Sequence, residues 1–271
     1  MFWADYHVHS EYSPDSSEKM TDIVKRAVKL GLDELAFTDH LDYFFSESAP
    51  QIPCRVIDFN AYKSKVEELR ESYGHKISLL FGVELGLNEN LGAEFSSLAS
   101  SAGFDYIIGS IHDVRGVDLY LHDFFSGKTK EQGYHEYLEY LLKCINLTPE
   151  INTVGHMDFI RRYYCGKNNS FDFCKYSDVI EEILKTLIST GRGLEINTSG
   201  IRYGLGQFHP QVPILKRFKE LNGEIITLGS DAHKLVHIAD EFDTARQMLI
   251  DVGFRYISRF RKGISYPEKI T

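Results

Sequence analysis

Several features are scarce in this chain of 271 residues, and each scarcity narrows what it does. No apolar run approaches the roughly 20 residues that span a bilayer, and the start has no charged segment followed by an apolar one. A cytoplasmic location with no membrane contact is the expectation. The four cysteines, Cys54, Cys144, Cys165 and Cys174, form no CxxC pair and have no regular spacing. They suggest neither a disulfide framework nor a zinc ribbon, and read as free thiols, most of them packed. Basic residues are outnumbered, 30 Lys and Arg against 39 Asp and Glu, for a formal net charge of −9. Holding nucleic acid through a broad basic surface needs clustered Lys and Arg, so that class is not expected, whereas a local phosphate pocket is compatible with the balance. Three bound divalent ions would bring the charge to about −3, so part of the acidity is explicable as a site. There is no low-complexity tract, and no heptad run or long exposed apolar stretch speaks for an oligomer.

What is present is one repeated pattern. A hydrophobic content of 43% over this length supports a large core in one α/β domain spanning 1–271. Seven short runs rich in β-branched and aromatic residues read as strands: FWADYHVH (2–9), ELAFTDH (34–40), ISLLFGVEL (77–85), YIIGSIHD (106–113), NTVGHMD (152–158), GLEINTS (193–199) and EIITLGSDAH (224–233). Helical stripes lie between them. Met20, Ile23, Val24, Ala27 and Leu30 precede Gly31, and Ile180, Ile183, Leu184, Leu187 and Ile188 precede Gly191, a common helix stop. Further helical segments fall near 59–73, 93–102, 132–147, 212–222 and 238–252.

Six of the seven runs finish in His, Asp or Glu: His7 and His9, His40, Glu84, His112, His156, then Asp231 and His233. An open sheet offers one crevice at its switch point, whereas a barrel gathers every strand end around one mouth, so the pattern favours a barrel. On a strand, His7 and His9 point to the same side and suit one metal ion. A lone histidine at a strand end is usually structural. Six of eleven histidines and two carboxylates at equivalent positions are hard to explain that way. Imidazole with carboxylate oxygen suits Zn, Mn or Fe, and eight candidates, or nine with Asp15, exceed what one ion takes. Glu84, the only Glu among the strand-end residues, suits a bridging role. His75, His122, His135, His209 and His237 read as surface or packing histidines, His209 being the possible exception because it follows the sixth strand.

The motifs HVH (7–9), TDH (38–40), GVELG (82–86), SIHD (110–113), GHMD (155–158) and GSDAH (229–233) resemble those of the polymerase and histidinol phosphatase (PHP) superfamily. GHMDFIRRY (155–163) and EINTSGIRYGLGQFHP (195–210) are similar to segments of its monofunctional histidinol-phosphate phosphatases. The resemblance implies a distorted (β/α)7 barrel with three divalent metal ions at the C-terminal face. His7, His9, Glu84 and Asp231 would hold the first, Glu84, His112 and His156 the second, and Asp15, His40 and His233 the third; some relatives have histidine where this chain has Asp15.

The implied reaction is hydrolysis of L-histidinol phosphate to L-histidinol and phosphate in histidine biosynthesis. A metal-bridging hydroxide would attack phosphorus, because a bound metal lowers the pKa of water from ~15.7 to ~7. Arg161 and Arg202, each just beyond a strand end, suit bidentate contact with the phosphate, with Arg162 in reserve. Asp42 and Asp158 are candidates to protonate the leaving group. The loops 41–58, 113–131 and 157–175 would wall the site; Tyr43, Phe44 and Phe45 could flank an imidazole, and Asp42 or Glu47 could meet the substrate ammonium. The competing readings are a relative acting on another small phosphate or on nucleotides, as phosphodiesterase or exonuclease, and a non-catalytic metal-binding module. A competent ligand at every metal position argues against the last.

Overall fold

The alternation of short apolar runs with amphipathic stretches becomes seven β/α units in the computed structural model, which describes residues 2–42, 57–121, 123–164 and 171–270. The strands are β1 (Ala4–Val8), β2 (Glu34–Phe37), β3 (Ser78–Gly86), β4 (Tyr106–Ser110), β5 (Thr153–Val154), β6 (Gly193–Asn197) and β7 (Ile226–Gly229). The helices that follow them are α1 (Met20–Leu30), α2 (Phe59–Tyr73), α3 (Gly92–Ala102), α4 (Lys130–Leu147), α5 (Ser177–Ser189), α6 (Val212–Glu220) and α7 (Phe242–Val252). All seven strands pair in parallel in chain order. A parallel bridge between Val8 and Ala232, with His9 N donating to Ala232 O at 2.9 Å, brings the last strand end back to the first. The result is a nearly closed, distorted (β/α)7 barrel.

Each helix turns one apolar stripe to the sheet. Met20, Ile23, Val24 and Ala27 of α1 are buried, and Gly31 ends that helix at φ +78, where a side chain would be strained. Val179, Ile180, Ile183, Leu184 and Leu187 do the same for α5. These stripes and the outward strand residues form the main core between sheet and helices. Among the described residues no helix is long and apolar enough to cross a membrane.

A second core fills the lower barrel, where Ala4, Tyr6, Ala36, Leu80, Tyr106, Ile108 and Phe260 pack together. A register shift in β1 between Asp5 and Val8 matters here. It inserts one residue, so the alternation of faces restarts and both Tyr6 and His7 turn inward, Tyr6 to the aromatic floor and His7 to the mouth. The floor is closed by a C-terminal antiparallel hairpin, β8 (Tyr256–Arg261) and β9 (Ile264–Lys269), which the strand count from sequence did not include. Arg259 and Arg261 from β8 reach the buried Glu34 of β2, and Tyr6 donates its hydroxyl to the same carboxylate.

Candidate metal centre and its cleft

The strand ends deliver their polar side chains to one cleft of 420 Å³ at the C-terminal mouth. β2 breaks after Phe37 and resumes as His40–Leu41, which pairs with Glu84 and Leu85 and so sets His40 beside the end of β3. The nine ligand candidates come together in three overlapping groups. Around Glu84 Oε2, His7 Nε2 lies at 3.2 Å and His9 Nε2 at 3.5 Å. Asp231 Oδ1 completes that group at 3.8 Å from His7 and 3.6 Å from His9. Around Glu84 Oε1, His156 Nε2 lies at 3.0 Å and His112 Nε2 at 3.4 Å. In the third group Asp15 Oδ2 is 2.9 Å from His233 Nε2 and 3.5 Å from His40 Nε2, with the two imidazole nitrogens 3.4 Å apart. His40 also turns Nδ1 to Glu84 Oε2 at 2.9 Å.

Do these donors fit metal ions? Four imidazoles are anchored through Nδ1. His7 donates to Glu195 Oε1 at 2.6 Å, His9 to Ser13 Oγ at 3.0 Å, His112 to Asp42 Oδ1 at 2.8 Å and His233 to Asp231 O at 3.1 Å. Each such bond fixes the tautomer and leaves a lone pair on Nε2, the arrangement that outer partners give to metal-bound histidines. The separations of 3.2 to 3.8 Å in the first group suit ligands spread around one ion at about 2.0–2.2 Å. The buried atoms His7 Nε2, His9 Nε2 and Glu84 Oε2 have no hydrogen-bond partner among the described residues. Buried polar atoms without partners are costly, and a bound cation satisfies all three.

The electrostatics agree. Burial would raise the carboxyls of Glu84 and Asp231, but His7 and the neighbouring imidazoles hold both well below the usual carboxylate range. Burial drives the His9 imidazole well below its ordinary value, helped by His233 and His40. His112 moves the other way in spite of burial, up to about 10, because Asp42 and Glu84 flank it. The cluster thus demands positive charge at some nitrogens and refuses protons at others. Divalent ions meet both conditions.

Two of the ligand candidates sit on strained backbone. His156 and Asp231 adopt φ of +23 and +53, uncommon for residues with side chains. Glu195 Oε2 accepts from His156 N at 2.9 Å, and Arg202 Nη2 donates to the carbonyls of Ser230 and Asp231 at 3.0 and 2.9 Å. Glu195, fully buried in the middle of β6, is therefore a brace for two ligands at once. Sequence reasoning passed over it because it stands inside a strand and not at its end. Gly229 on β7 leaves it room: a Cβ there would sit 2.1 Å from Glu195 Oε1.

The two arginines chosen from sequence do not reach the cleft wall. Arg161 is buried, with Nη1 donating to Asp158 Oδ2 at 3.1 Å. Arg202 holds the backbone of Asp231 as described. Arg162, held in reserve in the sequence reading, does line the cleft, and is the sole Lys or Arg among the described residues that do. The reason is local: residues 159–162 form a 3₁₀ turn, in which neighbours point in different directions. Of the two acids, Asp158 is fully buried and bonded to His209 and Arg161, away from the cleft, whereas Asp42 lines it and braces His112. Gly86 makes space for Asp42, since a Cβ at that position would lie 1.8 Å from its Oδ1.

Asp118, Tyr120, Phe159, Tyr163 and Tyr203 complete the wall. Tyr43, Phe44, Phe45, Glu47, His122, Cys54 and Cys165 fall outside the described residues. Cys144 is buried and Cys174 exposed, both as free thiols.

Residues 5–199 match the PHP domain family. A histidinol-phosphatase of Lactococcus lactis is 31% identical over 260 residues, covering 94% of this chain and 93% of the relative. A probable histidinol-phosphatase of Clostridium acetobutylicum is 29% identical over 244 residues, covering 90% and 91%. A crystal structure of histidinol phosphate phosphatase from L. lactis, complexed with zinc, L-histidinol and phosphate, superposes with a TM-score of 0.87 at 30% identity, over 97% of this chain and 98% of that one. On this ground, together with a barrel mouth ringed by imidazoles and carboxylates, the chain belongs to the PHP domain family, among its histidinol-phosphatases.

Proposed function

We propose that this protein is a metal-dependent phosphomonoesterase that converts L-histidinol phosphate to L-histidinol and phosphate, a cytoplasmic step of histidine synthesis. The observation that carries the reading is two ligand groups sharing Glu84, with a third joined to it through His40, beneath a cleft whose wall has one arginine among the described residues. His7, His9, Glu84 and Asp231 would hold one ion, Glu84, His112 and His156 a second, and Asp15, His40 and His233 a third. Bound there, divalent ions supply Lewis acidity toward phosphoryl oxygens and make water a nucleophile near neutral pH.

The chain's own residues do the rest. Arg162 binds a non-bridging phosphate oxygen through Nη1, its Nε and Nη2 being held by the protein, and so orients phosphorus for in-line displacement. Water supplies the entering oxygen, the P–O ester bond breaks, and the leaving alkoxide takes up a proton. Asp42 stands in the cleft wall beside His112 and is the nearer of the two candidate acids to that exchange. Phe159, Tyr163 and Tyr203 offer aromatic faces to the substrate imidazole, and the acidity of Asp42 and Asp118 suits a substrate carrying an ammonium group. A cleft wall with one basic residue among those described suits a small phosphate better than a nucleic-acid strand.

The test is phosphate release by Mn- or Zn-loaded protein from L-histidinol phosphate, an aryl phosphate and an aryl phosphodiester. A kcat/KM for histidinol phosphate orders of magnitude above the other two is expected. Comparable or faster turnover of the diester would move the substrate to nucleotides.

A further inference from the structure

Arg161 and Arg162 are adjacent in one turn yet go to different places, and the group that separates their roles is His209. Arg161 turns inward to Asp158. Arg162 turns to the cleft, where its guanidinium carbon lies 4.5 Å from the centre of the Phe159 ring and 4.1 Å from that of Tyr203. Arg162 Nε donates to His209 Nε2 at 3.3 Å. Nη2 donates to Ser199 Oγ and, at 3.3 Å, to Asp231 Oδ2. The Nε/Nη2 edge is thus held by the protein, and Nη1 makes no hydrogen bond to the described residues.

His209 is fully buried and fixed from every side. Its backbone is bridged to Asn197 of β6, with Asn197 N donating to His209 O at 2.7 Å and His209 N to Asn197 O at 2.9 Å. Its Nδ1 bonds to Asp158 Oδ1, while Asp158 Oδ2 accepts from Arg161 Nη1 at 3.1 Å and Gln211 N at 3.2 Å. A guanidinium Nε–H only donates, so His209 Nε2 must accept, and the ring proton must sit on Nδ1 facing Asp158. A protonated ring would set N–H against N–H. Burial agrees, pushing the His209 imidazole down to about 4 in spite of Asp158.

We propose that Asp158 and His209 are positioning residues for the phosphate-binding arginine. The relay Asp158–His209–Arg162 fixes the plane and rotation of the Arg162 guanidinium so that its outer edge faces the substrate phosphate, and Arg161 balances the charge of Asp158. This rests on the phosphatase reading above. It accounts for two consecutive arginines of which one faces Asp158 and the other lines the cleft, and for a neutral histidine placed between a carboxylate and a guanidinium.

The test uses the metal-loaded full chain and reads inorganic phosphate binding by calorimetry, kcat and KM for L-histidinol phosphate, metal content and thermal unfolding. His209→Asn keeps an N–H toward Asp158 but has no acceptor where Nε2 was. Its phosphate Kd and its KM are expected to rise about tenfold, the worth of one hydrogen bond to a charged group, with metal content unchanged. His209→Gln can place its amide oxygen near the lost acceptor and is expected to restore most of that affinity. On an Arg162→Ala background, His209→Asn should add nothing further. Unchanged phosphate affinity in His209→Asn, or an equal loss with and without Arg162, overturns the proposal and leaves a packing role for the ring. If Arg162→Ala alone leaves phosphate binding intact, the assignment of Arg162 fails first, and the relay falls with it.

Discussion

Two glutamates are buried at opposite ends of one barrel, and their surroundings differ in kind. Glu34, at the closed end, receives the Tyr6 hydroxyl on one oxygen and the guanidinium groups of Arg259 and Arg261 on the other. Glu84, at the open end, receives the Ser110 hydroxyl on Oε1 at 2.6 Å, while Oε2 faces the nitrogens of His7, His9 and His40 with no hydrogen-bond partner among the described residues. Guanidinium groups donate only, so they saturate a carboxylate and lock the hairpin onto the barrel floor. His7 and His9, anchored through Nδ1, present Nε2 lone pairs, so they meet a carboxylate acceptor to acceptor. A divalent cation bound between them satisfies the nitrogens and the carboxylate together. The same residue type is a structural tie at one end and a ligand at the other because of the donors around it.

The largest effect expected from this contrast is at the open end. Glu84→Gln should lower kcat/KM of the metal-loaded protein by more than the ~100-fold upper range typical of losing a ligand's supporting partner. Thermal unfolding of the metal-free protein should show no loss of stability. A large loss without metal would make Glu84 a structural residue like Glu34. The complementary variant, Glu34→Ala, strands two arginines that retain some solvent contact, so about 3 kcal/mol of stability should go, the lower end for a broken buried pair. Urea unfolding measures that loss, and kcat/KM per folded molecule should stay unchanged; an activity defect would couple the floor to the mouth. Glu195→Gln sharpens the comparison at smaller scale. As a brace of His7 and His156 it should weaken metal affinity 10- to 100-fold, roughly the usual cost of such a change, read by competition with a chelator.

The sequence exposed the mouth more clearly than the floor. Each barrel strand is a short apolar run, and each strand-end ligand interrupts such a run with His, Asp or Glu at the position where a parallel barrel collects side chains. Periodicity therefore placed β1 to β7 and their helices. The hairpin 256–269 carries half-exposed residues such as Tyr256, Ile264 and Tyr266, and so lacks the buried run that marks the others. Glu195 was hidden within a strand, where burial depends on the tertiary partner and not on local pattern. The choice among Arg161, Arg162 and Arg202 was equally out of reach, because a single 3₁₀ turn decides which of two adjacent side chains lines the cleft. His209 stood out only as the histidine after the sixth strand; its role depends on Asp158, 51 residues earlier.

The account turns on a centre of three ions built around Glu84, and metal stoichiometry tests it most directly. The purified chain, dialysed to equilibrium against Zn or Mn and assayed by elemental analysis, should hold about three ions per chain, and Glu84→Gln should lose at least the two that share its carboxylate. One ion or none in the unaltered chain, or the full complement in the variant, would contradict the account.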